Sequence, residues 1–301
     1  MEKKEVQGLL YAFGAMLLWG LSFAWSKLLL ELYSPVIVIF FRLLISVLFL
    51  FAYLFLTQKI EKISLGDLKK FAVLSFFLPF LYFLGENYGI QLTTATTASL
   101  IIATIPIFIG IIAWVWFKEA LTKLNMIGIF ISFIGVGFIV YENGTDIHGS
   151  FAGILWLFLA VASAVIYTIF IRDMSQRYNA IYIIAIQNLF GLIYFVPLLF
   201  FEDKFEFEGG GIVIFYILAL AILCSSFAYI FYVLAVKHIG MAKTEAFANL
   251  IPVIAALYSF FLLNEVFGLY KIIGILLVIS GLFFSQMHNL KKKKIGVIDK
   301  K

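Results

Sequence analysis

Residues 103–138 read ATIPIFIGIIAWVWFKEALTKLNMIGIFISFIGVGF, and residues 249–284 read NLIPVIAALYSFFLLNEVFGLYKIIGILLVISGLFF. Pro106 matches Pro252, Glu119 matches Glu265, Gly128 matches Gly274 and Gly135 matches Gly281, all at an offset of 146. Each stretch reads as an apolar helix with an early proline, a glutamate at its exit, then an apolar helix bearing glycines. Single glycine matches are cheap. A proline, a glutamate and two glycines in register are not. Upstream the match is weaker, near an offset of 145, with Gly8 against Gly153 and Ala15 against Ala160. The chain therefore reads as two copies of one unit, residues 1–147 and 148–301, the second ending in a basic tail.

The unit is made for lipid. Hydrophobic residues make up 64% of the 301 and charged residues 13%, whereas a soluble domain carries about 25% charged residues. The apolar residues fall in long runs, and a helix needs about 20 of them to cross hydrocarbon. Alternating segments of the kind that build a transmembrane barrel are absent. In lipid the backbone must satisfy its own hydrogen bonds, so the runs are helices. Spans are expected at 7–30, 34–56, 68–90, 94–117, 123–141, 150–171, 179–201, 211–236, 241–263 and 268–288, with a turn forced near 91–97 by clustered polar residues. The first run is too long for a signal-peptide core and lacks a small-residue cleavage site, so it is expected to be retained. Cys224 is the sole cysteine and sits in an apolar run, which excludes an internal disulfide.

Charge placement tests this count. With ten spans and both termini cytoplasmic, eighteen of the 22 Lys and Arg residues fall inside, in the terminal segments and the loops around 59–70, 118–123, 172–177 and 237–243. Lys204 and Lys271 fall outside, and Lys27 and Arg42 lie within spans. That asymmetry is the positive-inside rule. It also explains the net charge of +5 without nucleic acid. The run at 291–294 reads as a juxtamembrane anchor.

Five helices per copy is an odd number, so the second copy is inverted in the membrane. Inverted repeats are a transporter architecture, because two equivalent halves can exchange roles and open a central site to either side.

The paired segments IPIFIGIIAWVWFKEAL and IPVIAALYSFFLLNEVF, with LLWGLSFAWSKLLL in the first span and FFRLLIS in the second, resemble the drug/metabolite transporter superfamily, in particular its ten-helix EamA-type branch. The resemblance covers nearly the whole chain. It implies export or exchange of small metabolites such as amino acids or related compounds, across a bacterial inner membrane. It also implies a central cavity lined by the first, third and fourth helices of each half.

An ionisable residue inside a span costs about 2.5–3.5 kcal/mol on insertion scales and needs a reason. Glu86, with Asn87 and Tyr88, reads either as a site for a coupled proton or a substrate ammonium, or as a structural partner of Lys27 or Arg42. Arg42 reads as a partner for a carboxylate or a clamp for an anionic group. Lys27, near the outer end of its span, reads as a side chain that snorkels outward. Glu245 stands where the first copy has Ser99; the bland reading pairs it with Lys243 or His238. Asn249 precedes Pro252 by three residues, and both Pro106 and Pro252 should kink their helices. Trp19, Tyr82, Tyr167, Tyr229 and Tyr232 are further candidates for a cavity wall, as are Trp25 and Tyr88. The hydroxyls of Thr94, Thr96, Thr97, Ser99 and Thr104 either face the cavity or bond to their own helix.

No His-Glu-x-x-His metal motif and no nucleotide-binding glycine loop occurs, so no cofactor is expected. The expected partners are a small-molecule substrate, the lipid bilayer and protons as the candidate coupling ion. A lipid scramblase or a sensor is the non-transport alternative.

Overall fold

The computed structural model describes residues 3–109, 111, 123–142, 147–202, 210–240, 244 and 247–298. Among them every regular element is helical. The helices are α1 (Lys3–Leu30), α2 (Pro35–Leu56), α3 (Leu65–Ser75), α4 (Tyr82–Leu92), α5 (Ala95–Ile102), α6 (Lys123–Glu142), α7 (Ile147–Arg177), α8 (Ala180–Phe195), α9 (Gly210–Leu218), α10 (Ala228–Ile239), α11 (Leu250–Leu262) and α12 (Leu269–Ile298). α3 and α4 form one rod, Leu65–Leu92, as do α9 and α10 in Gly210–Ile239. Six helical rods are long and apolar enough to cross a membrane, and Ala95–Ile109, Met126–Phe138, Phe247–Leu262 and Leu269–Phe284 are shorter apolar helices.

Local chemistry sets the ends and breaks. Ser34 caps α2, with Pro35 in its first turn, and Asn179 caps α8. The polar cluster near residue 93 does turn the chain. Thr93 is extended, and Thr94 caps α5 by accepting from the Thr97 amide at 3.1 Å. The apolar stretch Ala95–Ile109 is interrupted close to Pro106. The chain breaks before it at Ala103–Thr104, and Pro106 occupies the opening turn that follows, where a missing N–H costs little. Pro252 likewise stands near the start of α11, after a short 3₁₀ turn at Phe247–Asn249. A further interruption lies at Leu78–Pro79 between α3 and α4, where Leu78 leaves helical geometry (φ −140°, ψ 116°). Its freed carbonyl accepts from Gln187 Nε2 at 3.3 Å, so the broken backbone is satisfied inside the protein.

In lipid the tails are as apolar as Leu, so helix association depends on close packing at small residues. A β-carbon on Gly135 would run into Val278 and Gly274 of α12, and one on Gly281 would run into Ser132 and Gly128 of α6. These contacts exchange when 146 is added on one side and subtracted on the other. The register, 128 with 281 and 135 with 274, makes the pair antiparallel. A second exchange links other helices: Gly8 abuts Ile239 and His238, while Gly153 abuts Thr93 and Leu92. The first helix of each sequence copy thus packs on the third helix of the other.

Candidate functional site

A cavity of about 320 Å³ lies among α1, α2, α4, α5, α7, α10 and the α11 entrance. α1 supplies Met16, Trp19, Ser22 and Phe23, and α4 supplies Tyr82, Phe83 and Glu86. Across from them stand Tyr167 of α7 and Tyr229 and Tyr232 of α10. Pro106 lies in the wall beyond α5, and Ala248 and Ile251 lie at the start of the segment leading into α11. The first, third and fourth helices of both copies contribute, with Arg42 added from the second.

Two charges stand in this largely apolar wall. Arg42 is 2% exposed and Glu86 5%. Arg42 Nη1 lies 3.7 Å from Glu86 Oε2, an ion pair without a hydrogen bond. Glu86 Oε1 accepts from the Tyr82 hydroxyl at 2.9 Å, one helical turn back. The guanidinium lies 4.3 Å from the centre of the Phe83 ring, a cation–π contact. Its Nε donates to Ser225 Oγ, while Nη1 makes no hydrogen bond. The site therefore holds a neutral pair with unused hydrogen-bonding capacity on both partners. Such a pair can open to receive an ammonium at Glu86 and a carboxylate at Arg42.

The aromatic wall is interlocked. Trp19 meets Tyr229 edge-on at 4.9 Å and Tyr232 at 5.4 Å, and its indole donates to the Cys224 carbonyl at 3.3 Å. Tyr167 donates to Gln187 Oε1 at 3.4 Å. The wall hydroxyls of Ser22 and Thr168 bond back to their own helices, at 2.7 and 2.8 Å.

Other sequence candidates lie away from the cavity. Asn87 is fully buried and donates to the Phe83 carbonyl at 2.9 Å. Tyr88 stacks on Trp156 at 4.9 Å. Ser99 bonds to the Thr96 carbonyl at 2.8 Å. Asn249 ends the 3₁₀ turn before α11 and Pro252 is buried within that helix; neither lines the cavity. Trp25 is buried and meets Phe215 edge-on at 6.4 Å. Glu245 lies outside the described residues.

Lys27 corrects its expectation. Its ammonium is not left to water but donates to the carbonyls of Ile90, Gln91 and Thr93 at 3.0, 3.1 and 2.7 Å. Three donors on the end of α4 complete its unpaired carbonyls and oppose the helix dipole. Nearby, Lys271 is buried and pairs with Glu265 at 3.1 Å. It also reaches Thr94 Oγ1 at 3.4 Å. One end of the bundle is thus fastened by charge, one turn beyond the cavity residues Phe23 and Glu86.

Sequence reasoning missed a polar group behind Arg42. Asn188, Ser46, Ser225 and Ser226 are all buried and joined by hydrogen bonds. Gln187-Asn188 and Ser225-Ser226 are polar pairs inside apolar runs, and that interruption was the available signal.

The sequence profile of the EamA-like transporter family matches residues 6–141 and again 151–287. An uncharacterized transporter of Bacillus subtilis, YetK, is 28% identical over 300 residues, covering 97% of this chain and 89% of that protein. An uncharacterized transporter of Archaeoglobus fulgidus is 27% identical over 276 residues, covering 90% and 94%. One crystal structure shares the fold at a TM-score of 0.66 and 15% identity, covering 92% of this chain and 97% of that one.

Proposed function

The chain belongs to the EamA-like transporter family, and from that premise we propose that it is a secondary transporter moving a small organic metabolite by alternating access. The cargo is an amino acid or related compound, and the direction is export across a bacterial plasma membrane. One observation carries the reading: a cavity walled by both sequence copies holds the buried Arg42–Glu86 pair. The pair supplies complementary charges for a zwitterion, and Trp19, Tyr229 and Tyr232 supply an apolar surface for its body.

The architecture proposed is ten spans in two inverted halves, with both termini cytoplasmic. The exchanged contacts at Gly8 and Gly153, and at Gly135 and Gly281, support a two-fold relation between the halves. An antiparallel pairing of equivalent helices supports an axis lying in the membrane plane. In that orientation the end fastened by Lys27 and Lys271 faces outward. The bacterial relative and the charge asymmetry support the location and orientation.

Glu86 is the proposed coupling group, exchanging a proton for the substrate ammonium. The test is flux in proteoliposomes with a pH gradient and a panel of labelled amino acids. Glu86→Gln is expected to abolish gradient-driven flux and to leave exchange of substrate for substrate, at a higher substrate concentration because the counter-charge for the ammonium is gone. Equal gradient coupling in the variant removes Glu86 from the coupling role. An intact fold that moves no metabolite in any arm favours a scramblase or sensor instead.

A further inference from the structure

We infer that Asn188 and Ser225 are positioning residues for Arg42, holding its guanidinium so that Nη1 is presented to an anionic group of the cargo. The inference rests on reading the cavity as the substrate site.

Arg42 and Ser46 lie four residues apart and so share a face of α2. Opposite them is the wide π-helical segment Ala219–Phe227. Ser225 and Ser226 are neighbours there, and each reaches α2: Ser225 Oγ accepts from Arg42 Nε, and Ser226 Oγ meets Ser46 Oγ at 2.7 Å. Ser226 also donates to the Ala221 carbonyl, five residues back, at 3.0 Å. Both serines thus meet α2 from within a π-helical segment, and such turns concentrate at functional sites.

Asn188 joins the two strands of this network. Its Nδ2 donates to Ser46 Oγ at 2.8 Å and to the Ser225 carbonyl at 3.2 Å. It sits on α8, which gives no residue to the cavity wall. Substrate contact therefore does not account for a buried amide there. Through Ser225 it fixes one edge of the guanidinium, and the Phe83 ring fixes one face at 4.3 Å. Rotation of the planar group is then blocked, and Nη1 keeps its orientation beside Glu86. A guanidinium held before the cargo arrives loses less freedom on binding.

The experiment uses the full-length protein in nanodiscs. Three arginines occur in the chain, so ¹⁵Nε-arginine labelling gives few signals, and Arg42→Lys assigns the one of interest. Ser225→Ala and Asn188→Ala are each expected to speed hydrogen exchange at Arg42 Nε at least tenfold. In a second arm, thermal protection is measured with L-phenylalanine and phenylacetate, which carry a carboxylate, and with phenethylamine, which lacks it. Affinity for a carboxylate probe should fall about tenfold in both variants, the size of one hydrogen bond to a charged group. Phenethylamine affinity should change less than twofold, and in the Arg42→Lys background Asn188→Ala should have no further effect. Unchanged exchange at Nε overturns the positioning role while leaving the substrate site standing. Equal weakening of all probes, or an undiminished effect beside Arg42→Lys, reduces Asn188 to helix packing. If Nε responds but no carboxylate probe protects the wild type, the substrate-site reading falls and takes this one with it.

Discussion

Replacing Glu86 by Gln removes one charge and little else. The amide keeps the shape and can still accept from the Tyr82 hydroxyl. Arg42 is left buried without its counter-charge. At the 3.7 Å separation the lost attraction is about 4.5 kcal/mol for an effective dielectric constant of about 20. Breaking one side of a buried pair costs about 3–5 kcal/mol in measured cases. Arg42 is 2% exposed, so the expected loss of stability falls in that range, at about 3–5 kcal/mol. Removing both charges, in Glu86→Gln with Arg42→Met, should cost clearly less than the single change, because no uncompensated ion remains buried. Titration from mild detergent into a denaturing one measures this, with Cys224 as the reporter: it is the sole cysteine and fully buried, so a thiol dye reacts as the bundle opens. A Glu86→Gln variant within about 0.5 kcal/mol of wild type, inside the range of ordinary surface changes, refutes the reasoning. So does a double variant whose loss equals the sum of the two singles, since charges 3.7 Å apart must couple.

Lys27→Met withdraws all three donors from Ile90, Gln91 and Thr93 and should cost about 1–3 kcal/mol in the same titration; no loss would mean that water reaches those carbonyls. Gly281→Leu places side-chain atoms where Ser132 and the Gly128 backbone already stand, and separating α6 from α12 should destabilise by about 1–3 kcal/mol, read as a lower yield of monodisperse protein on size exclusion. A membrane-permeant maleimide should leave Cys224 unlabelled in the folded protein and label it once denatured; rapid labelling of the native state would show that α1 does not cover the thiol, whose Sγ lies 3.3 Å from the Leu18 carbonyl.

Hydropathy and the offset of 146 are one-dimensional patterns, so the sequence alone determined a helical membrane protein made of two related units. It also singled out Arg42 and Glu86, since a charge in an apolar run needs a reason wherever it points. It could place residues in depth but not in direction. Successive residues on a helix are rotated by about 100°, so Glu86, Asn87 and Tyr88 share a depth while facing the cavity, the α4 backbone and Trp156 respectively. Tertiary structure decided which neighbour each polar group meets. It paired Arg42 with Glu86 across 44 residues of sequence, turned Lys27 onto the end of α4, and carried Asn188 to Ser46 and Ser225. Those partners lie on separate helices, and no local pattern encodes which faces will meet when the helices pack.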